Sequence, residues 1–398
     1  MSQQRLERSV LIVAYHFPPH ATAASMRAVQ LAELLAQREW AVHVLHAAPA
    51  EYQPQAAQWA DRLDECGIER YTTAPSYARV LSVAAGKPMA IWSARLLRRP
   101  FRTAADFFDD WIDAALAKAE HLLNQQHINI VLGIAPPLSA ALAAEAIARR
   151  WNVPLAVDFG EIIELVPHRL PSYQGRNHEE TVHQLLRSAL YASVISRREK
   201  EQLLRRCDFL THEEVGILPH ADAVEAPSHT SAEHCRLLLL GDELPMSVLR
   251  PLLKLVQRNS SYRLRIAATV PPSLGKLLQK WHLSDRVELA IEVTTDALDR
   301  WFGDSDVALA IATAHVTTPS VMVHRACSAG IPVLITGEYA PLLASLVPPE
   351  QVVVERLLQP ATFGSTLEKI SIRRSVRVQT DDTLAREFSR RLGMAMKL

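Results

Sequence analysis

A chain of 398 residues, 48% of them hydrophobic, is long enough to bury two cores, and two domains are the simplest division. Its 43 Lys+Arg balance 43 Asp+Glu, so no overall field favours nucleic acid and any anionic ligand must be held by a local cluster. Cys66, Cys207, Cys235 and Cys327 form no C-x-x-C pair, which argues against a zinc site or a disulfide framework and fits a reducing cytoplasm.

The N-terminus is polar, and the apolar run Val10–Ala14 is far shorter than a signal or membrane span needs, so it reads as a first strand. Short apolar runs then alternate with longer helical patterns, as in β-α units feeding a parallel sheet. Strands buried on both faces are expected at Ser9–Tyr15, Ala41–His46, Asn129–Ile134, Leu155–Phe159 and Ser193–Ser196. Helices are expected near Ala23–Gln37, Ala104–Asn124, Leu138–Arg150 and Thr181–Leu190.

The polar stretch Ala226–Glu233 has the composition of a linker. Beyond it strands are expected at Arg236–Leu240, Tyr262–Ala267, Arg286–Ile291, Asp306–Ala312 and Ile331–Ile335. Helices belong at Met246–Arg258, Ser273–Trp281, Thr295–Trp301 and Thr318–Ala329. The expected α/β organisation is a Rossmann-like domain over 1–222, a linker over 223–235 and a second Rossmann-like domain over 236–378. An amphipathic helix, Thr383–Met396, closes the chain, and the 379–398 segment is a candidate to pack back on the first domain.

Negative signals narrow the chemistry. None of the 16 histidines has H-E-x-x-H or comparable metal spacing, so no metal is expected. The absence of G-x-S-x-G and of G-x-x-x-x-G-K-[ST] removes α/β-hydrolases and P-loop NTPases. Glycine contributes only 13 residues, about half the ~7% of ordinary proteins, although phosphate-binding Rossmann turns normally need it.

The run Tyr15-His16-Phe17-Pro18-Pro19-His20, the small-residue loop Ala21–Ala24, Arg27 and the Ala28–Arg38 helix, then Glu39-Trp40 and an apolar strand, stand in a specific order. That order resembles the opening of the family-4 glycosyltransferases. The likeness continues at Asp110-Trp111, through Pro136-Pro137 and Ser139, at Asp158 to Glu161, and at Ser188 to Ser196. At Gly216-Ile217-Leu218-Pro219-His220 the family usually has Ile-Pro-Asn-Gly. The likeness covers residues 8–222 well.

The resemblance implies a GT-B plan, two Rossmann-like β/α/β domains facing across a cleft, and retaining transfer from a nucleotide-diphosphate sugar to a glycan or lipid-linked acceptor. The donor is a substrate, and no cofactor is implied. Pro19, His20, Ala21 and Thr22 would form the cleft loop, Arg27 would meet an anion at a helix N-terminus, and Asp158 and Glu161 would be the catalytic, acceptor-side carboxylates. The residues alone leave other readings open: Arg27 as a solvated first-turn arginine, and Asp158 and Glu161 as a cap or surface pair. Pro136, Pro137 and Ser139 read as a helix start.

The second half departs from the family. Gly241 is kept after the first strand of that half, but Asp242-Glu243 stand where the family has an arginine, which should repel a diphosphate. The turn Ile266–Pro272 has no glycine, and Thr318 to Val333, closed by Ala329-Gly330-Ile331-Pro332-Val333, corresponds to the family's glutamate helix with Arg325 at its second glutamate. By resemblance Gly241, Ser320, His324 and Arg325 are donor-binding candidates. Two readings follow: His324 and Arg325 contact donor phosphates, or the donor site has decayed and the chain is a binding or scaffold partner of an active transferase in polysaccharide or glycolipid synthesis. His324 also reads as an ordinary helix histidine. Residues 90–102 combine Trp92 and Phe101 with four arginines, either a peripheral contact with the inner membrane face or a solvated helix.

Overall fold

The computed structural model describes residues 8–20, 22–49, 58–76, 108, 110–161, 172–221, 234–290, 295–313, 316–347, 349–355, 366 and 382–396. The chain divides into two compact units. One holds Met1–His20, Arg27–Pro219 and Asp381–Leu398; the other holds Ala21–Met26 and His220–Thr380.

The first unit runs β1 (Arg8–Val13), α1 (Ala23–Ala36, whose first turn through Met26 falls in the second unit), β2 (Trp40–Ala47), α2 (Gln58–Glu65), β3 (Glu69–Thr73), α3 (Trp111–Leu123), β4 (Ile130–Ala135), α4 (Leu138–Trp151), β5 (Leu155–Phe159), α5 (Ser172–Ser188), β6 (Tyr191–Val194), α6 (Arg197–Arg206) and β7 (Val215–Ile217). Its sheet has the order β3-β2-β1-β4-β5-β6-β7, and every pairing is parallel. The chain builds outward from β1 to β3 and returns to β4 on the other side of β1. That reversal makes β1 and β4 the topological switch point, beside whose carboxyl ends α/β ligands ordinarily bind.

Central strands are continuous apolar runs because both their faces are covered: Val10 to Val13 are fully buried. The alanine-rich α4 lies close against β4, where a Cβ on Gly133 would stand 2.8 Å from the Cβ of Ala144. β3, with the sequence Glu-Arg-Tyr-Thr-Thr, is an edge strand with little apolar pattern to betray it. β6 ends at Val194 instead of running on to Ser196, because the Ser196 hydroxyl accepts the Glu199 N–H (3.2 Å) and caps α6. α5 begins at Ser172, ahead of the apolar positions that mark it in sequence.

The second unit runs β8 (Cys235–Glu243), α7 (Met246–Arg258), β9 (Tyr262–Thr269), α8 (Ser273–Lys280), β10 (Val287–Ala290), α9 (Thr295–Gly303), β11 (Val307–Ile311), α10 (Ser320–Ser328), β12 (Val333–Thr336), α11 (Ala340–Ala344) and β13 (Val352–Glu355). Its parallel sheet has the order β10-β9-β8-β11-β12-β13, with the switch point between β8 and β11. The Ala-Gly-x-Pro-Val end of α10 has a physical cause. Gly330 takes φ +80°, and the Ile331 N–H returns to the Ala326 carbonyl (2.9 Å), the wide bond of a Schellman motif.

The last helix, α12 (Asp382–Ala395), belongs to the first unit. It buries Phe388 and Leu392, sets Phe388 against Tyr191 (ring centroids 6.0 Å apart), and accepts the Trp40 indole N–H on Ser389 (3.1 Å). Among the described residues no helix is long and apolar enough to cross a membrane. The 90–102 segment and the Ala226–Glu233 stretch lie outside the described residues.

Candidate functional site

At the carboxyl edge of the first sheet, β1 runs into a loop closed by its own aromatic side chains. Tyr15 and Phe17 are buried, and the Tyr15 ring meets His16, Phe108 and Trp111 at 4.9, 4.2 and 5.3 Å between centroids. Its hydroxyl accepts the Ser76 N–H at 2.9 Å. Of the expected cleft loop, His20 is fully buried and Pro19 half-buried, while Ala21 lies outside the described residues. The Thr22 hydroxyl accepts the Ser25 N–H (3.3 Å), a local cap on the start of α1.

Arg27 and Asp158 face one another. The guanidinium meets the carboxylate with two parallel bonds, Nε to Oδ2 at 2.8 Å and Nη2 to Oδ1 at 2.7 Å. Its other N–H groups go to Gln30 and to the Leu218 and Pro219 carbonyls, so all five donors are engaged. Asp158 is fully buried and also accepts the Ser193 hydroxyl at 2.5 Å. Gly160 is required here, because a Cβ would stand 2.7 Å from Arg27 Cγ. In this arrangement the arginine expected to meet a donor anion and the carboxylate expected to meet an acceptor neutralise each other in the interior.

Glu161 is placed differently. It is 7% exposed and, with His178 (5%), contributes the polar wall of a cavity of about 30 Å³ otherwise lined by Ala135, Pro136, Leu138, Phe159 and Val182. That is room enough for a water. The cavity lies at the carboxyl ends of β4 and β5, and His178, on α5, carries no sequence signal that marks it. Pro136 and Pro137 precede α4 with Pro137 as its N-cap residue, the structural role their order suggests.

In the second unit the switch point is stitched by one hydroxyl. Thr318 Oγ1 donates to the Leu240 carbonyl (2.8 Å) and accepts the Ile311 N–H (2.8 Å), tying the ends of β8 and β11 together. α10 starts immediately beyond, with no side-chain cap and no acidic residue in its first turn. Ser320, its first residue, shares a 2.8 Å hydrogen bond with His220 Nε2, both side chains being buried. The His220 ring lies 6.0 Å from that of His324, which is half-buried. Sequence reasoning did not select His220; the signal was its place in the Pro219-His220 pair, where the resembled family has asparagine.

Arg325, on the same helix, reaches the residue after His220: its Nη1 donates to the Ala221 carbonyl (3.5 Å). Its Nη2 meets both carboxylate oxygens of Asp299 on α9 at 2.7 Å, the arginine being buried and the aspartate half-buried. Gly241 has a packing reason: a Cβ there would strike Leu244 at 2.8 Å, so the space beside it holds a leucine. The Asp242 carboxylate accepts the Ala23 N–H (3.3 Å), both residues belonging to the second unit as bounded above. Among the described residues no group of three or more His, Cys, Asp or Glu side chains is arranged to hold a metal ion.

Likeness to known proteins lies in the fold. No protein-family model matches the sequence, and no curated protein matches it. Solved structures do match along the whole chain. A sucrose-phosphate synthase from Thermosynechococcus elongatus is 13% identical with a TM-score of 0.61, over 98% of this chain and 95% of its own. A UDP-N-acetylglucosamine 2-epimerase is 14% identical with a TM-score of 0.60, over 98% and 97%. The S. aureus MnaA structure with UDP is 12% identical with a TM-score of 0.62, over 98% and 97%. The chain is thus an α/β protein of two Rossmann-like parallel-sheet domains, the GT-B glycosyltransferase fold.

Proposed function

We propose that this chain is a glycosyltransferase of the family-4 kind, which takes a nucleotide-diphosphate sugar as donor and passes the sugar, with retention, to a glycan or lipid-linked acceptor. The observation that carries the reading is the start of α10 at the second sheet's switch point: first-turn N–H groups without a carboxylate, and the Ser320–His220 pair beside them. A helix N-terminus in that place favours a diphosphate. Ser320 and His220 are assigned to the diphosphate and His324 to its flank. Glu161 and His178 are assigned to the acceptor side, their burial around a water-sized cavity suiting a single hydroxyl or water. In such a transfer the donor phosphate itself can accept the acceptor proton, and the protein supplies position and charge stabilisation. One named structural neighbour is a UDP-N-acetylglucosamine 2-epimerase and another was solved with UDP, so transfer is the step a test must address.

A second reading is favoured by a specific observation: both candidate anion-binding arginines, Arg27 and Arg325, are buried and paired with carboxylates, Asp158 and Asp299, and Leu244 fills the space beside Gly241. On it the chain keeps the transferase scaffold without donor chemistry and serves as a binding or scaffold partner of an active transferase. Calorimetric titration with UDP-, GDP-, ADP- and dTDP-sugars separates the two. Saturable binding weakened by Ser320→Ala supports the transferase, and silence across the panel, with the fold intact by circular dichroism, supports the second reading.

A further inference from the structure

A cleft of about 320 Å³ opens at the amino ends of β8, β9 and β10, the sheet edge opposite the Ser320–His220 pair. Arg236 on β8 is in register with Arg263 on β9. The Leu264 N–H bonds the Arg286 carbonyl (2.9 Å), and Val287 pairs with Leu264, so Arg286 stands at the same level one strand further out. Three like charges in one row across neighbouring strands repel unless something neutralises them.

The neutralisation is uneven. Arg236 is bonded to Asp306, and Arg265, two residues along β9, to Glu288 and Asp304. Arg286 directs Nε and Nη2 to backbone carbonyls, among them Val256 and Asn259 at the end of α7, and lines the cleft. Arg263 meets an imidazole, His234 Nε2, at 3.3 Å. Among the described residues no carboxylate lies within ion-pair distance of Arg263 or Arg286. Burial, and after it the Arg263 charge, lower the Arg286 pKa, as expected of a guanidinium facing another.

We infer that this cleft is a second anion site, separate from the proposed donor site, and that it takes a small molecule bearing a phosphate group. The guanidinium fork matches phosphate oxygens, and the volume is that of a small-molecule pocket, larger than a bare phosphate requires. Ser284 and the exposed Asp285 on the rim supply polar groups for the hydroxyls of such a ligand.

The test uses the full chain with pyrophosphate and glucose 1-phosphate as probes. Calorimetry should show saturable binding that falls about tenfold or more in Arg263→Gln, as loss of a charged hydrogen bond predicts, and that Arg263→Lys partly restores. In the unaltered protein, amide hydrogen exchange should slow around Arg263–Leu264 and Arg286–Val287 when a probe is bound. Arg286 is left in place because it also caps α7. Absence of saturation with both probes at millimolar concentration, undiminished binding in Arg263→Gln, or protection confined to other strands would overturn the assignment.

Discussion

Removing the Arg27 guanidinium would leave the Asp158 carboxylate in the interior with the Ser193 hydroxyl as its remaining side-chain donor. Breaking a buried pair from one side costs about 3–5 kcal/mol, so Arg27→Ala should markedly lower the first unfolding transition in a thermal scan. A surface arginine would shift it by a few tenths of a kcal/mol at most, and that outcome would refute the buried assignment. His46 sets a pH dependence. Burial is the main cause that lowers its pKa to about 4, against a smaller upward effect of the Nδ1 contact with the Ala47 carbonyl. The unfolded chain, titrating near 6.5, binds the proton that the folded state refuses. Stability is therefore full above pH 6.5 and declines as pH falls toward 4, by about 3 kcal/mol in all from this group. Denaturant titrations at pH 7 and pH 5 should show the decline, and His46→Gln should reduce it.

At the level of elements, the close approach of α4 to β4 rests on missing side-chain atoms. Gly133→Ala would place a methyl 2.8 Å from Ala144 Cβ and 2.9 Å from Ala141 Cα, backbone included, so helix and strand must separate. The expected cost is about 1–3 kcal/mol, read as a lower denaturation midpoint with unchanged slope. The other elements follow local chemistry to different degrees. Central strands and α4 are legible because an apolar run or an apolar stripe is written into consecutive residues. β3, α6 and β7 are not: β3 is polar, α6 is mostly charged, and β7 has three residues. Pairing with a neighbour already in place defines such elements.

For the molecule as a whole, α12 completes the first unit from the far end of the chain. Phe388→Ala should cost about 3–5 kcal/mol, since its side chain is buried against Tyr191, and should destabilise the first unit's transition while sparing the second's. Equal effects on both transitions would contradict this. The helix itself is readable from sequence as amphipathic, whereas its attachment to β6 and Trp40 is not, because nothing in Asp382–Ala395 names a partner more than 300 residues away in the Trp40–Ser389 bond (|i−j| = 349).

The sequence by itself determined the alternation of strands and helices, the two Rossmann-like series and the α10 terminus at Gly330, because burial on two faces, helical periodicity and a positive φ are local demands. It also marked the neighbourhood of the candidate site, since strand ends and helix starts follow from the same pattern. Only the tertiary structure decided what the charged groups face. Arg27 and Asp158 are 131 residues apart, and Arg325 and Asp299 lie on different helices. Each residue type alone suits a ligand as well as a partner. A buried charge must find its counter-charge within a few ångströms, and which group supplies it depends on how the elements pack.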